Sequence, residues 1–174
     1  RIQQTVPEKE PLNIVLREGL RIREIGDYTG IFMEDGTDEV VTGVMMMVVE
    51  NTSAEAIQYA EITMDVKGET ASFKVTALPA GEAAVLLEQG RMPYSKKVDY
   101  EKAEIKCPLI VHYEAPLSLQ EEKLKIQCLD AAMNITNISG EDITDTIVLC
   151  YKGWQDGLYY GGIAYRIKLE GGLK

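Results

Sequence analysis

Val49-Glu50-Asn51-Thr52-Ser53-Ala54-Glu55-Ala56-Ile57 decides how this chain is read, because the pattern occurs twice. Its counterpart is Ile135-Thr136-Asn137-Ile138-Ser139-Gly140-Glu141-Asp142-Ile143, an offset of 86 from Asn51 to Asn137. Asn and Ser side chains bond nearby backbone groups and so stop a strand at a defined place. Each copy then enters an apolar strand that closes on Lys-Gly. These are Ile62-Thr63-Met64-Asp65-Val66-Lys67-Gly68 and, at an offset of 85, Ile147-Val148-Leu149-Cys150-Tyr151-Lys152-Gly153. A third strand follows in each, ending in Leu78-Pro79-Ala80-Gly81 and in Leu169-Glu170-Gly171-Gly172. A period of about 86 residues is that of a domain, not of a solenoid.

Outward from these copies the chain reads as strand, turn, strand. Apolar and polar residues alternate in Leu12–Leu16, Leu20–Ile25, Ser72–Leu78 and Lys123–Cys128, the period-two signature of half-buried strands. Gly-containing turns punctuate them at Glu34–Asp38, Lys67–Glu69, Leu78–Gly81 and Gln155–Gly157. No window of helical length carries a capped 3.6 period. The expected fold is all-β: two tandem β-sandwich domains related by the repeat. Residues 1–11 read as a polar spacer, 12–90 as the first domain and 91–174 as the second. The boundary is placed in the Gly- and Pro-bearing stretch Gln89–Pro93. The second domain lacks the counterpart of Ala83-Ala84-Val85-Leu86-Leu87. The expectation is that the native chain continues past Lys174, or that another segment fills the gap.

The elements Asn137-Ile138-Ser139, Tyr151-Lys152 and Gly161-Gly162-Ile163-Ala164-Tyr165 resemble immunoglobulin-like modules of exported bacterial surface proteins. That resemblance implies an exported, anchored protein and carries over no functional residue.

The chain has 174 residues, 18 basic and 28 acidic, a net charge of −10. So acidic a chain lacks the clustered Lys and Arg that nucleic acid requires and is repelled by anionic lipid. Residues 1–90 hold 7 basic and 16 acidic side chains (net −9), and residues 91–174 hold 11 and 12 (net −1). The near-apolar run Val40–Val49 is far shorter than the roughly 20 residues of a spanning helix. Arg1–Pro11 contains no basic region followed by an apolar stretch. A start without Met points to a chain trimmed behind a signal peptide or anchor, with a cytoplasmic chain as the alternative.

Candidate chemistry is sparse. Cys107, Cys128 and Cys150 form no CxxC and sit among apolar residues. They read as buried thiols, or as one disulfide with an odd thiol. His112, the single histidine, would meet Cys107 only if the strand turned at Pro108. Glu34-Asp35-Gly36-Thr37-Asp38-Glu39 offers oxygen ligands for Ca²⁺ but lacks the D-x-D-x-D-G spacing, and reads as a solvated hairpin tip. Glu141-Asp142 and Asp145 read the same way. No phosphate loop or nucleophile elbow occurs. No catalytic residue, metal or cofactor is expected.

The best binding candidates lie in the aromatic stretch Tyr151, Trp154, Tyr159, Tyr160 and Tyr165. A hairpin tip carrying Trp154 with Tyr159 or Tyr160 suits a sugar ring or a peptide. Tyr159 and Tyr160, being adjacent, must face opposite sides of a strand. In Val44-Met45-Met46-Met47-Val48-Val49 the repeat puts Met47 and Val49 in the core. Met46 and Val48 then form an apolar outer face that needs a cover, from the second domain, the N-terminal segment or another chain. The expected function is a non-catalytic extracytoplasmic spacer, adhesion or interaction module with an unidentified protein or glycan partner. The alternative is a carbohydrate- or peptide-binding module built on the Trp154 hairpin.

Overall fold

A computed structural model describes residues 9–37, 39–117, 120–130, 132–144 and 147–174, without the side chains of 148–151 and 162–168. The fold is all-β, with no α-helix among the described residues. The strands are β1 (Lys9–Val15), β2 (Leu20–Ile31), β3 (Val40–Asn51), β4 (Ile57–Val66), β5 (Glu69–Leu78), β6 (Ala83–Leu87), β7 (Ile105–His112), β8 (Leu124–Cys128), β9 (Met133–Asn137), β10 (Ile147–Gln155) and β11 (Leu158–Leu169). They form a six-stranded sheet in the order β1-β2-β3-β6-β11-β10, a three-stranded sheet β5-β4-β7, and the pair β8-β9. β6 runs antiparallel to β3 and parallel to β11.

Three hairpins turn on an X-Gly pair: Glu18 (φ 53°) with Gly19 (φ 82°), Lys67 (54°) with Gly68 (86°), and Asp156 (52°) with Gly157 (78°). Positive φ at both central residues is the type I′ turn, whose twist matches the flanking strands. Lys152-Gly153, expected as the counterpart of the Lys67-Gly68 turn, lies instead inside β10. A Cβ at Gly153 would make only ordinary contacts, 3.5 Å from Tyr160 Cβ and 3.7 Å from Met33 Sδ, and the residue is not among the positive-φ glycines, so neither space nor a turn requires glycine there. The next turn comes only at Asp156-Gly157.

The chain divides into two compact units. The larger is the described part of Arg1–Pro116 with Lys152–Ala164, and the smaller is that of Leu117–Tyr151 with Tyr165–Lys174. This differs from the expected division at 90/91, and the reason is visible at Gln89–Pro93. That stretch is bonded into the larger unit: Met92 N–H donates to a Glu88 carboxylate oxygen (2.7 Å), Met45 N–H to the Met92 carbonyl (2.8 Å) and Tyr94 N–H to the Gly43 carbonyl (2.9 Å). β7 then joins β4. Of the expected spacer, residues 1–8 lie outside the described residues, and Lys9, Glu10 and Pro11 already belong to β1.

The larger unit is a β-sandwich. Leu20, Ile22, Ile25, Met45, Met47, Val49, Ala84 and Leu86 of one sheet pack on Ala60, Ile62, Met64, Ala71, Phe73, Val75 and Ile110 of the other. Burying a large aliphatic or aromatic side chain contributes about 1.5–3 kcal/mol. β3 is apolar on both faces. Met46 and Val48, each 2% exposed, join Phe32, Val44, Ala83, Val85 and Leu87 in a second cluster, with Tyr28, Val41, Leu158 and Tyr160 at its margin. The cover over Met46 and Val48 is thus built by the chain itself, with Phe32 folded in and Arg91 lying 4.7 Å above its ring.

Two buried carboxylates secure β6. Glu34 accepts from Leu87 N–H (3.0 Å) and from the Gln89 amide (3.2 Å), and Glu88 accepts from the N–H groups of Ser72 (3.0 Å) and Met92 (2.7 Å). Each satisfies backbone or amide donors that would be costly to bury alone.

The Asn-x-Ser corner is the best-defined feature shared by the two units. Asn51 Nδ2–H donates to the Glu55 and Leu78 carbonyls (2.8 and 3.2 Å), and Asn51 Oδ1 accepts from Ser53 N–H (3.0 Å). Asn137 Nδ2–H donates to the Glu141 and Leu173 carbonyls (2.6 and 3.3 Å), and Asn137 Oδ1 accepts from Ser139 N–H (3.0 Å). Leu78 pairs with Ile57 as Leu173 does with Ile143. Leu173 therefore stands where Leu78 does, four positions beyond the expected Leu169, because β11 runs on to Leu169 before the chain turns.

Candidate functional site

Asp156-Gly157 forces β10 and β11 together and sets Trp154 beside Tyr159. Their rings meet edge to face, 4.6 Å between centroids at 67°. Trp154 is 54% exposed. Lys152 Nζ lies 5.9 Å from the Tyr159 ring and donates to the Gly161 carbonyl (3.4 Å). Tyr159 and Tyr160 do face opposite ways: Tyr159 packs toward the inter-sheet core and Tyr160 toward the Met46–Val48 cluster. Burial raises both phenols above the usual tyrosine range, with Glu82 adding to Tyr159 and Asp156 to Tyr160. The structure thus brings Trp154, Tyr159 and Lys152 together and separates Tyr160 from them. The side chains of Tyr151 and Tyr165 lie outside the described residues.

His112 closes β7 and finds a partner that sequence reading missed. Its Nδ1 lies 3.6 Å from Glu18 Oε2, and its buried Nε2 has no hydrogen-bond partner among the described residues. Glu18, Ser53, Ala54, Glu55 and His112 line an open cleft of about 350 Å³. The only sequence signal for this meeting was Glu18-Gly19, a turn pair that puts Glu18 at a hairpin tip. A serine, a histidine and a carboxylate in one cleft suggest a hydrolytic triad, but Ser53 is already engaged. Its Oγ lies 2.7 Å from Asn51 Oδ1 and 2.8 Å from the Glu55 carbonyl, and it accepts from Glu55 N–H (3.3 Å). Ser139 repeats these bonds at 2.7, 2.9 and 3.3 Å, and no histidine exists to serve it. Both serines complete a corner.

Cys107 and His112 do not pair. β7 is extended from Ile105 to His112, and the Cys107 thiol donates to the Leu109 carbonyl (3.4 Å). Burial raises this thiol above the ordinary cysteine range, the opposite of an activated nucleophile. Cys107 and Cys128 are free thiols, and the Cys150 side chain lies outside the described residues.

The acidic run Glu34–Glu39 is broken up by its surroundings. Glu34 turns inward to β6. Arg91 bridges Asp35 Oδ2 (2.8 Å) and Glu39 Oε2 (2.6 Å). The Thr37 backbone N–H, the Thr37 hydroxyl and then Arg91 hold Asp35 below the usual carboxylate range. Asp38 and Asp145 lie outside the described residues, and Glu141 and Asp142 are exposed. Among the described residues no group of three or more His, Cys, Asp or Glu side chains is placed to hold a metal ion.

Compared with protein-family models, with curated proteins and with solved structures, the chain matches none. Its function therefore rests on the geometry above.

Proposed function

We propose that the chain is a non-catalytic module of a bacterial cell-surface protein, made of tandem immunoglobulin-like sandwiches and acting as a spacer, adhesion or protein-interaction unit. The recurrence of one hydrogen-bonded corner, Asn51-x-Ser53 and Asn137-x-Ser139, carries this reading. A motif whose polar atoms are spent on backbone groups is kept for architecture. The buried polar side chains favour the same view, since Glu34, Glu88 and Asn51 all fasten backbone. The Cys107 thiol is held protonated, and the Ser53 hydroxyl is engaged. The extracytoplasmic placement rests on the resemblance noted from the sequence. No helix among the described residues is long and apolar enough to cross a membrane. Labelling intact source cells with a membrane-impermeant amine reagent tests it. Exposed lysines such as Lys125 should react without lysis, and labelling only after lysis overturns the surface location.

A second reading is favoured by Trp154, an exposed indole braced by Tyr159 beside Lys152. An indole face and a nearby cation suit a sugar ring or an acidic peptide. Trp154 is the only tryptophan, so saturable quenching across a glycan and peptide panel reports it directly. Indifference to every ligand leaves the spacer reading alone.

A further inference from the structure

The geometry points to β9 as an acceptor edge for an extended, aliphatic and acidic segment of another polypeptide, added antiparallel as β6 is added to β3. This deepens the interaction-module reading by naming the surface and the chemistry of the partner.

β9 pairs with β8 as the end of β3 pairs with the start of β2. Leu20↔Asn51, Arg21↔Glu50 and Ile22↔Val49 correspond to Leu124↔Asn137, Lys125↔Thr136 and Ile126↔Ile135. Thr52 N–H donates to the Gly19 carbonyl (2.7 Å) as Ile138 N–H donates to that of Lys123 (2.8 Å), so hydrogen-bonded and open pairs fall at matching places. In an antiparallel ladder the residues of open pairs turn their N–H and C=O away from the partner strand. Those residues are Met133, Ile135 and Asn137 in β9, and Met47, Val49 and Asn51 in β3.

In the larger unit that outward row is filled. β6 lies along β3 from Met46↔Leu87 to Glu50↔Ala83. Asn51 N–H donates to the Glu82 carbonyl (2.9 Å), and the Asn51 carbonyl accepts from Gly81 N–H (2.8 Å). In the smaller unit, among the described residues, the sheet is β8-β9 and stops there.

The side chains agree. Ile22 and Val49 are fully buried, whereas Ile126 is 45% exposed and Ile135 half-buried. An uncovered strand edge beside exposed aliphatic groups is a template for strand addition. β6 shows what fits the template: Gly81-Glu82-Ala83-Ala84-Val85-Leu86-Leu87-Glu88, aliphatic within and acidic at its ends. Lys125 on the neighbouring β8 and Lys123 just before it are exposed and have no ion-pair partner among the described residues, which favours such acidic ends.

The test uses the full chain and a labelled, end-blocked peptide of residues 81–88. Expected are saturable binding and at least ten-fold slower hydrogen exchange at the amides of Met133, Ile135 and Asn137. Binding should vanish when proline replaces Ala84 in the peptide, a residue whose N–H faces the acceptor strand in the β3–β6 register, and this leaves the protein untouched. It should also vanish in Ile135→Pro, whose lost N–H faces the open edge, with folding checked by circular dichroism. The proposal is overturned by no binding, by protection that falls on Met47, Val49 and Asn51 instead, or by β9 amides already protected in the free chain. A β9–β9 dimer in sedimentation that Ile135→Pro dissolves overturns it in favour of self-pairing. Failure of intact-cell labelling removes the surface location and leaves this peptide result standing, so the two can fail separately.

Discussion

The corners at Asn51 and Asn137 use the same side-chain bonds in different surroundings. Asn51 is completely buried, and its backbone is tied to the Gly81-Glu82 turn that leads into β6. Asn137 is half-buried at the end of a two-stranded ladder. One local motif therefore supports a closed sandwich in one unit and, among the described residues, the two-stranded ladder β8-β9 in the other. The lesson is that the corner sets where a strand stops, while burial on both sides of the sheet sets what that stop is worth.

Matched substitutions would break or sharpen this contrast. The largest effect is expected in the core: Ile22→Ala should cost about 3–4 kcal/mol by transfer and cavity terms. Ile126→Ala, at the corresponding register position, should cost under about 1 kcal/mol in urea unfolding followed by circular dichroism. Equal losses would mean that the smaller unit has a comparable core. Next comes the corner itself. Asn51→Ala strands buried carbonyls and should cost about 3 kcal/mol, against about 1 kcal/mol for Asn137→Ala, where water can replace the amide.

Third is the hairpin turn beside the corner. A Cβ at Gly19 would lie 2.7 Å from Ser53 Cβ and 2.8 Å from Ser53 N, while one at Gly68 meets nothing within 4 Å. Gly68→Ala should cost about 1 kcal/mol, from its positive φ alone. Gly19→Ala should cost clearly more and should also loosen the Ser53 corner, read as faster exchange of the Ser53 amide. Fourth is the acid response of the Phe32–Glu39 loop. The folded state holds Asp35 below the usual carboxylate range, so its contribution is complete above the unfolded value and disappears as pH falls through the lowered one. Thr37 amide shifts should stay constant near neutrality and move only in that acidic window. Arg91→Ala should bring the transition to higher pH. The smallest effect is chemical. At neutral pH Cys128, which is exposed, should react with a thiol reagent well before Cys107, whose burial disfavours the thiolate.

Local features of this fold were legible and distant ones were not. Alternation exposed β1, β2, β5 and β8. The pairs Lys67-Gly68 and Asp156-Gly157 stood at real turns, because positive φ at two successive residues selects glycine there. Lys152-Gly153 misled because a Lys-Gly pair inside a strand has the same spelling as one at a positive-φ turn. The parallel pairing of β6 with β11 left no local trace, since it depends on residues 84 and 85 meeting residues 159 and 160. Glu34 and Glu88 looked like two more surface acids among 28 acidic side chains, and only their backbone donors distinguish them. Of the candidate site, the aromatic cluster was visible. Its partition was not, because the choice of which tyrosine turns inward belongs to the sheet.

The position of β6 also has a consequence while the chain is being made. Its five residues are Ala83-Ala84-Val85-Leu86-Leu87, all buried, between β3 on one side and β11 on the other. On a ribosome, β1 to β6 emerge and can pair while residues 88–158 are still being added. For those seconds, at roughly 5–20 residues per second, β6 presents a bare aliphatic edge. The nascent chain thus carries a transient sticky strand at its centre, which synthesis of Tyr159 and Tyr160 finally caps. Slower translation between these points should raise aggregation during synthesis while leaving the stability of the finished protein unchanged.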